Sequence, residues 1–236
     1  QALGAIPVYP NELNADMMSF SGHKLYAPKG IGLLFKRKGI RIDRLIDGGA
    51  QEKRQRGGTE NVAFAAALAK ALEMSLADME HESKRQTALR DRLIHGVMER
   101  IPHTKLNGHV TKRLPNNANF SFEFIEGESI LLFLDKFGYA CSSGSACTSA
   151  SLDPSHVLLA IGLPAEIAHG SLRVTLGIET TDKDVDRFLI DLPLIVERLR
   201  DMSPLYSDFK RGELQPLIPP EGSLDLAIDG GYGWRS

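Results

Sequence analysis

The longest regular pattern in the chain is helical. From Asn61 the sequence VAFAAALAKALEMSLADME is rich in Ala, Leu, Met and Glu and contains neither Gly nor Pro. Its apolar residues recur at helical spacing, and the pattern resumes through Leu89 and Leu93 until Pro102 ends it. This predicts one long helix or two helices in tandem. The charged segment EHESKRQ interrupts the apolar face near residue 80, which favours a domain boundary there.

Strand and helix patterns alternate on both sides of this helix, which indicates the α/β class. Apolar runs predict buried strands over 15–20 and 30–36, and alternation of Ala and Phe with polar residues predicts a half-buried strand over 118–124. Capping residues and breakers predict the remaining elements: helices over 128–137, 154–161 and 181–200, with a kink at Pro193, and a strand over 171–176. Residues 215–236 combine PLIPP with a glycine-rich end and predict a poorly ordered tail.

Composition excludes several classes of protein. The chain has 236 residues, 42% hydrophobic and 25% charged, so it can bury a core without disulfides and is not disordered. A net charge of −2 provides no general basic field, so direct binding to nucleic acid is not expected. No run approaches the roughly 18 apolar residues of a membrane helix, and no signal peptide is evident, so we expect a cytoplasmic protein. Two cysteines are too few for a disulfide framework or a four-ligand metal site.

Ser21-Gly22-His23-Lys24 follows the first predicted strand and is the first candidate for chemistry. A lysine behind a glycine turn is either a solvated surface charge or an amine placed in a cleft to react with a carbonyl group. A hydroxyl, an imidazole and the N–H groups of a glycine turn suit a phosphate, which favours a phosphorylated carbonyl cofactor. A motif this short does not decide between the two alternatives.

Cys147 lies in SSGSACTSAS, ten residues without a large side chain. Such a loop suits a thiol that must move or react, although an incidental cysteine in a tether would have the same surroundings. Cys141 follows Tyr139 and Ala140 at the end of a predicted element, which favours a core position. The five residues between the two cysteines match no zinc pattern.

Arg173 is flanked by Leu172 and Val174 in the predicted strand SLRVTLG, so its side chain lies on the opposite face from theirs. Its planar guanidinium could bind an amino-acid carboxylate in a bidentate manner, or it could be a surface arginine. His103 and His109 have no acid or thiol at ligand spacing and are interpreted as loop residues rather than a metal pair.

Four separated segments resemble the C-terminal part of NifS/IscS-type (group I) cysteine desulfurases, which are class V aminotransferase-like enzymes. In order they are SFSGHKLYAPKGIGLLF, GGTEN, SSGSACTSAS and SLRVTLG, and the resemblance extends from residue 1 to about 214. It implies the type I fold of pyridoxal-phosphate enzymes: the end of the large parallel-sheet domain over 1–80, then a small α/β domain over 81–214. The long serine-rich loop is typical of members whose cysteine reaches acceptor proteins.

The resemblance also implies which residues bind pyridoxal 5'-phosphate. Lys24 would hold the cofactor covalently, Ser21 and His23 would bind its phosphate, and Gln1 would contact its ring hydroxyl. Thr59, after the glycine-rich basic loop 47–58, would reach the phosphate in the partner subunit of a homodimer.

For the substrate, the resemblance implies that Arg173 binds the carboxylate of L-cysteine and that Cys147 attacks its sulfur. The products would be L-alanine and a persulfide on Cys147. The persulfide would donate sulfur to an iron–sulfur scaffold protein or another acceptor, including for tRNA thiolation. The same cysteine is a candidate for sharing an iron–sulfur cluster transiently with that scaffold.

The chain departs from the family in two respects. It opens on Gln1 and lacks the upstream aspartate, histidine and asparagine that the family places around the cofactor ring, so we expect an incomplete fragment that is inactive alone. Its end after Gln215 also differs from the family's ending, which leaves the choice of partner open. Two alternatives remain: another class V enzyme, such as a selenocysteine lyase or an aminotransferase, or a non-catalytic interaction module.

Overall fold

The computed structural model of the chain describes residues 1–143 and 154–224. It divides into two compact units, Gln1–Ser83 and Lys84–Ser236, next to the boundary predicted near residue 80. The helices are α1 (Gln51–Arg54), a single turn with positive φ at Glu52, Lys53 and Arg54, then α2 (Val62–Arg100), α3 (Gly127–Lys136), α4 (His156–Ala160), α5 (Ala165–His169), α6 (Asp182–Asp201) and α7 (Pro204–Lys210). The strands are β1 (Met17–Ser21), β2 (Gly32–Lys36), β3 (Thr104–Leu106), β4 (Asn117–Phe122), β5 (Ser171–Thr175) and β6 (Ser223–Leu224).

The long helical pattern forms a single helix. α2 has 39 residues and continues without a break past the charged segment, so the prediction of one helix is confirmed over that of two in tandem. Along the described residues, no helix combines the length and the apolar character that crossing a bilayer requires.

The first unit contains one pair of antiparallel strands, β1 and β2, joined through a one-turn 3-10 helix, Gly22–Leu25. Both apolar runs form strands, but the expectation that they are buried is wrong within this chain. Met17, Leu33 and Leu34 are 48%, 44% and 52% exposed. A two-stranded sheet brings no second layer to cover its two faces. Among the described residues of this unit, the buried apolar cluster is correspondingly small: Leu25, Ala27 and Leu68, with Leu3, Ile31, Ala71 and Leu72 packed against them.

The second unit is built on a four-stranded sheet of order β5-β4-β3-β6. β4 pairs antiparallel with β3 and β5, and β6 pairs parallel with β3. The period-2 prediction is confirmed up to residue 122: Ala118, Phe120 and Phe122 are buried on one face, in a core completed by apolar residues of α2, α3 and α6. β4 ends at Phe122, and Phe124, with a φ of 73°, lies beyond the strand. The opposite face of β4 is polar. The α/β class is therefore confirmed.

α6 begins at a capping box and contains a proline. Thr181 Oγ1 accepts a hydrogen bond from the Asp184 N–H, and the Asp184 carboxylate accepts one from the Thr181 N–H. The helix continues through Pro193 as one element. Proline has no N–H, so the carbonyl of Leu189 loses its intrahelical donor. Arg100 Nη1 donates to that carbonyl at 2.8 Å and replaces the missing hydrogen bond.

Replacing Arg100 by Met is expected to lower the free energy of unfolding by about 1 kcal/mol, because the Leu189 carbonyl loses its donor. In a Pro193→Ala background, residue 193 regains an N–H that can bond Leu189, so the same replacement should cost less than about 0.5 kcal/mol. Urea unfolding of the four proteins measures this double-mutant cycle. An equal cost in both backgrounds would contradict the role assigned to Arg100.

Residues 215–224 pack on the second unit, which differs from the poorly ordered tail expected for this stretch. The Glu123 carboxylate accepts the N–H groups of Leu217 and Ile218 at 2.6 and 2.8 Å. His103 Nδ1 donates to the Ile218 carbonyl at 2.7 Å, and Ile218 is buried. The two polar groups that hold this segment are distant from it in the chain, so local composition does not reveal them. Residues 225–236 lie outside the described residues.

Candidate active site

The turn after β1 carries three of the predicted cofactor residues. β1 ends at Ser21, and in the 3-10 turn that follows the side chains of His23 and Lys24 are exposed. The Gly22 N–H donates to the Ile31 carbonyl at 2.9 Å, which fixes the turn against the chain that enters β2. A Cβ at Gly22 would lie 2.8 Å from Ile31 Cγ2 and 2.9 Å from the Ile31 carbonyl oxygen, so only glycine fits.

The polar groups of this turn are available to a ligand. Within the part of the chain that the structure describes, the side chains of Ser21, His23 and Lys24 make no hydrogen bond or ion pair. A hydroxyl, an imidazole and a primary amine are groups that can bind a phosphate and react with an aldehyde. This donor set therefore fits a phosphorylated aldehyde cofactor.

Gln1 and Thr59 are exposed and, among the residues described, share no hydrogen bond with this turn. Thr59 follows the loop 47–58, whose two ends meet. The Gly57 N–H donates to the Ile46 carbonyl at 2.9 Å, and a Cβ at Gly57 would lie 2.7 Å from the Asp47 carbonyl oxygen. The structure thus groups three of the five predicted cofactor residues, and the roles of all five stay predictions.

Arg173 lies in the middle of β5, on the polar face of the sheet, and pairs with Asn119 of β4. Arg173 as a residue is half-buried, and over residues 1–143 and 154–224 its guanidinium has no hydrogen bond or ion pair. Arg173 also forms a β-bridge with Ser142, with N to O distances of 2.6 and 3.3 Å. The backbone just before residues 144–153 is therefore held beside Arg173. Cys147 lies within 144–153 and so outside the described residues.

Cys141 packs against the core, as predicted, and lines a cavity of about 270 Å³. Burial raises the pKa of its thiol to about 11, so this thiol stays protonated at neutral pH. Tyr139 lines the same cavity and donates its hydroxyl to Asp191 at 2.6 Å. Burial and this hydrogen bond raise the pKa of Tyr139. The Cys141 thiol and the Tyr139 hydroxyl are therefore both protonated, and so poor nucleophiles, at neutral pH.

Metal-ligand groupings are few in the described part of the chain. Asp78, His81 and Glu82 of α2 are the one cluster there with ligand atoms close together, and two of the three residues are exposed. His103 and His109 belong to no grouping of ligand atoms among the described residues, and the Nδ1 atom of each bonds backbone groups. Cys147, the predicted residue for a shared iron–sulfur cluster, is not among the described residues.

Two polar residues near Arg173 were not predicted from the sequence. Asn119 pairs with Arg173 across the β4–β5 ladder, and Asn107, just after β3, donates to the Asn119 side chain at 2.7 Å. The alternation in NANFSF was a partial signal, because it places Asn117, Asn119 and Ser121 on the face opposite the phenylalanines. Only the pairing of β4 with β5 shows that this face is also the face of Arg173.

Comparison with protein families matches residues 1–188 to the family described as aminotransferase class-V. Among curated relatives, cysteine desulfurase IscS of Methanosarcina thermophila is 54% identical over 205 residues, which is 87% of this chain and 50% of the relative. Cysteine desulfurase IscS of Dictyoglomus turgidum is 51% identical over 210 residues, 89% of this chain and 53% of the relative. The chain spans about half the length of the curated relatives it matches.

Solved structures give the same result for the fold. A NifS-like protein at 33% identity has a TM-score of 0.75, over 84% of this chain and 51% of that chain. The NifS-like protein from Rickettsia africae ESF-5, at 27% identity, has a TM-score of 0.76 over 84% of this chain and 52% of that chain. These similarities confirm the fold type that the motifs predict.

Proposed function

The chain belongs to the aminotransferase class-V family, and from this membership we propose that its gene product is a cysteine desulfurase. It would convert L-cysteine to L-alanine and a protein-bound persulfide. Relatives that are 54% and 51% identical carry the name cysteine desulfurase, which supports the proposal. The observation that carries it is the turn after β1, where Ser21, His23 and Lys24 offer unpaired groups suited to a phosphorylated aldehyde.

Enzymes of this family depend on pyridoxal phosphate, which, when bound, accepts electron density from a substrate carbon. In this chain, Lys24 would bind the aldehyde carbon, while Ser21 and His23 would hold the phosphate from the same turn. Gln1 would contact the ring hydroxyl. Thr59 would reach the phosphate site of the partner subunit, so the proposal includes a homodimer.

The substrate would be held by Arg173 and would lose its sulfur to Cys147. Arg173 is half-buried and its guanidinium is unpaired within the described chain, which suits a carboxylate ligand. The Cys147 thiolate would attack the substrate sulfur, so that an S–S bond forms while the Cβ–S bond breaks. The electron pair of that bond stays with carbon, which takes a proton and becomes the methyl group of L-alanine. Sulfur is oxidised as carbon is reduced, so no external oxidant is needed.

The persulfide on Cys147 would pass its sulfur to an iron–sulfur scaffold protein or another acceptor in the cytoplasm. The bridge between Ser142 and Arg173 supports this role for the following segment, because it anchors the start of that segment beside the proposed substrate arginine. Cys147 would also be the residue that shares a cluster transiently with the scaffold. Direct contact with nucleic acid or a membrane is not part of the proposal.

The test uses the gene product that carries this chain, loaded with pyridoxal phosphate. We expect L-cysteine to yield L-alanine, with one sulfide released per alanine when a thiol reductant discharges the persulfide. Transfer of the amino group without release of sulfide would favour the aminotransferase alternative. Turnover of selenocysteine without turnover of cysteine would favour the lyase. A loaded protein that forms no L-alanine would overturn the proposal.

A further inference from the structure

Three residues form a polar row across the sheet of the second unit. Arg173 of β5 pairs with Asn119 of β4, and on the other side of β4 the Asn107 N–H donates to the Asn119 carbonyl at 2.8 Å. Side chains of residues that pair directly across a ladder lie on the same face, with Cβ atoms about 4.5–5.5 Å apart. The Asn119 carboxamide is therefore a neighbour of the arginine proposed to bind the substrate carboxylate.

The hydrogen bonds of Asn107 determine which end of the Asn119 carboxamide has no hydrogen-bond partner among the described residues. Asn107 Nδ2 donates to Asn119 Oδ1 at 2.7 Å and to Ser121 Oγ at 2.9 Å, which uses both of its N–H bonds. Asn119 Oδ1 thereby accepts one hydrogen bond. Asn119 Nδ2 has no acceptor among the described residues, so the free end of this carboxamide is a donor.

The Asn107 carboxamide is itself buried and incompletely paired. Asn107 is 5% exposed, and its Oδ1 atom has no donor among the described residues. An unpaired buried acceptor costs free energy, and in native structures such groups call for an explanation. The two bonds that Asn107 Nδ2 donates, to Asn119 Oδ1 and Ser121 Oγ, hold the Asn119 side chain in one orientation.

The free donors of this row match one kind of ligand. The guanidinium N–H groups of Arg173 and the Nδ2 group of Asn119 donate to no acceptor within the described residues. The adjacent row of Lys105, Ser121 and Ser171 differs, since each of these residues has an interaction partner. Donors from neighbouring strands on one face suit a planar carboxylate, which accepts several hydrogen bonds at once.

We propose that Asn119 donates a second hydrogen bond to the substrate carboxylate bound by Arg173, and that Asn107 is the residue that positions its carboxamide. The inference rests on the proposed function, because it uses the same amino-acid site. Asn119 would contribute to substrate specificity. A ligand with a carboxylate accepts hydrogen bonds from both Arg173 and Asn119, whereas an amine that lacks a carboxylate leaves both donors unpaired.

The test compares Asn119→Asp with the matched control Asn117→Asp in the cofactor-loaded gene product. Asn117 lies two residues earlier on the same strand and face, pairs with Thr175 and makes no described side-chain hydrogen bond. For Asn119→Asp, the KM for L-cysteine should rise about 10- to 100-fold, because a donor becomes a like charge. The change in kcat should stay within about threefold, since uniform binding is what is lost. Asn117→Asp should leave KM within about twofold.

A second readout needs no turnover. Calorimetry should show that binding of the product L-alanine weakens by the same factor in Asn119→Asp, while the urea midpoint stays close to that of the wild-type protein. Should Asn119→Asp fold poorly, Asn119→Ala removes the donor without adding charge and should weaken binding about tenfold. Asn107→Leu should weaken binding in the wild-type background and have no further effect in Asn119→Ala, because it acts through Asn119.

The outcomes separate this inference from the proposed function. If Arg173→Gln weakens L-alanine binding and both Asn119 variants leave it unchanged, the role of Asn119 is overturned and the proposed function stands. If Arg173→Gln also leaves binding unchanged, or the wild-type protein binds no L-alanine, the proposed substrate site is wrong and the inference falls with it. If Asn117→Asp weakened L-alanine binding as much as Asn119→Asp does, the cause would be the added negative charge and not the lost donor, which would overturn the inference.

Discussion

Lys24→Ala should remove the bound cofactor's visible absorbance and lower L-alanine formation by about 10³-fold or more, because no other amine lies on this turn. The Lys24 side chain is exposed and, over the described residues, unpaired, so the substitution removes no structural contact. The free energy of unfolding should therefore stay within about 0.5 kcal/mol of the wild-type value. Absorbance after gel filtration, an L-alanine assay and urea unfolding measure the three quantities on the loaded gene product.

Lys29 provides the matched control for this prediction. It lies five residues beyond Lys24, is also exposed and follows the same turn. Lys29→Ala should retain the absorbance and the activity. Retention of the cofactor absorbance by Lys24→Ala, or an equal loss in both variants, would refute the role proposed for Lys24.

Cys147→Ala should leave cofactor binding intact and abolish the protein-bound persulfide, whereas Cys141→Ala should retain the persulfide. The difference follows from thiolate availability. With a pKa of about 11, the Cys141 thiol is ionised to only about one part in a thousand at pH 8. Mass spectrometry after incubation with L-cysteine should show one added sulfur atom in wild-type and Cys141→Ala protein. A persulfide that persists in Cys147→Ala would contradict the proposed sulfur step.

The pH dependence of alkylation checks the state of Cys141 independently. A raised pKa shifts the reactive thiolate to higher pH, so in the Cys147→Ala protein the rate of Cys141 alkylation should rise about tenfold per pH unit from pH 8 and level off near pH 11. Labelling that levels off near pH 9 instead would show that burial does not control this thiol.

Local pattern predicted most elements of the fold correctly. Helical spacing indicated α2, alternation of Phe with polar residues indicated β4, and the Thr181 cap marked the start of α6. These features depend on residues within a few positions of one another, so the sequence contains all the information they need. The grouping of Ser21, His23 and Lys24 was predictable for the same reason, because the three residues lie in one turn.

The predictions that differed from the structure involve partners distant in the chain. β1 and β2 are strands, as expected, but their exposure depends on what packs against them. The composition of residues 215–224 predicted a poorly ordered tail, yet Glu123 and His103 hold these residues on the second unit by hydrogen bonds. Pro193 was expected to kink α6, and the donor that replaces its missing N–H comes from Arg100 of another helix. Composition does not encode such contacts.

The sequence by itself determined which groups are candidates for the chemistry: an amine behind a glycine turn, a thiol among small residues and an arginine between apolar neighbours in a strand. The tertiary structure alone decided which groups are neighbours and in what state they are. Strand pairing brings Asn119 and, through it, Asn107 to Arg173, and burial keeps Cys141 protonated. The physical reason is that bonding capacity belongs to a residue, whereas desolvation and hydrogen-bond partners belong to the surroundings that folding assembles.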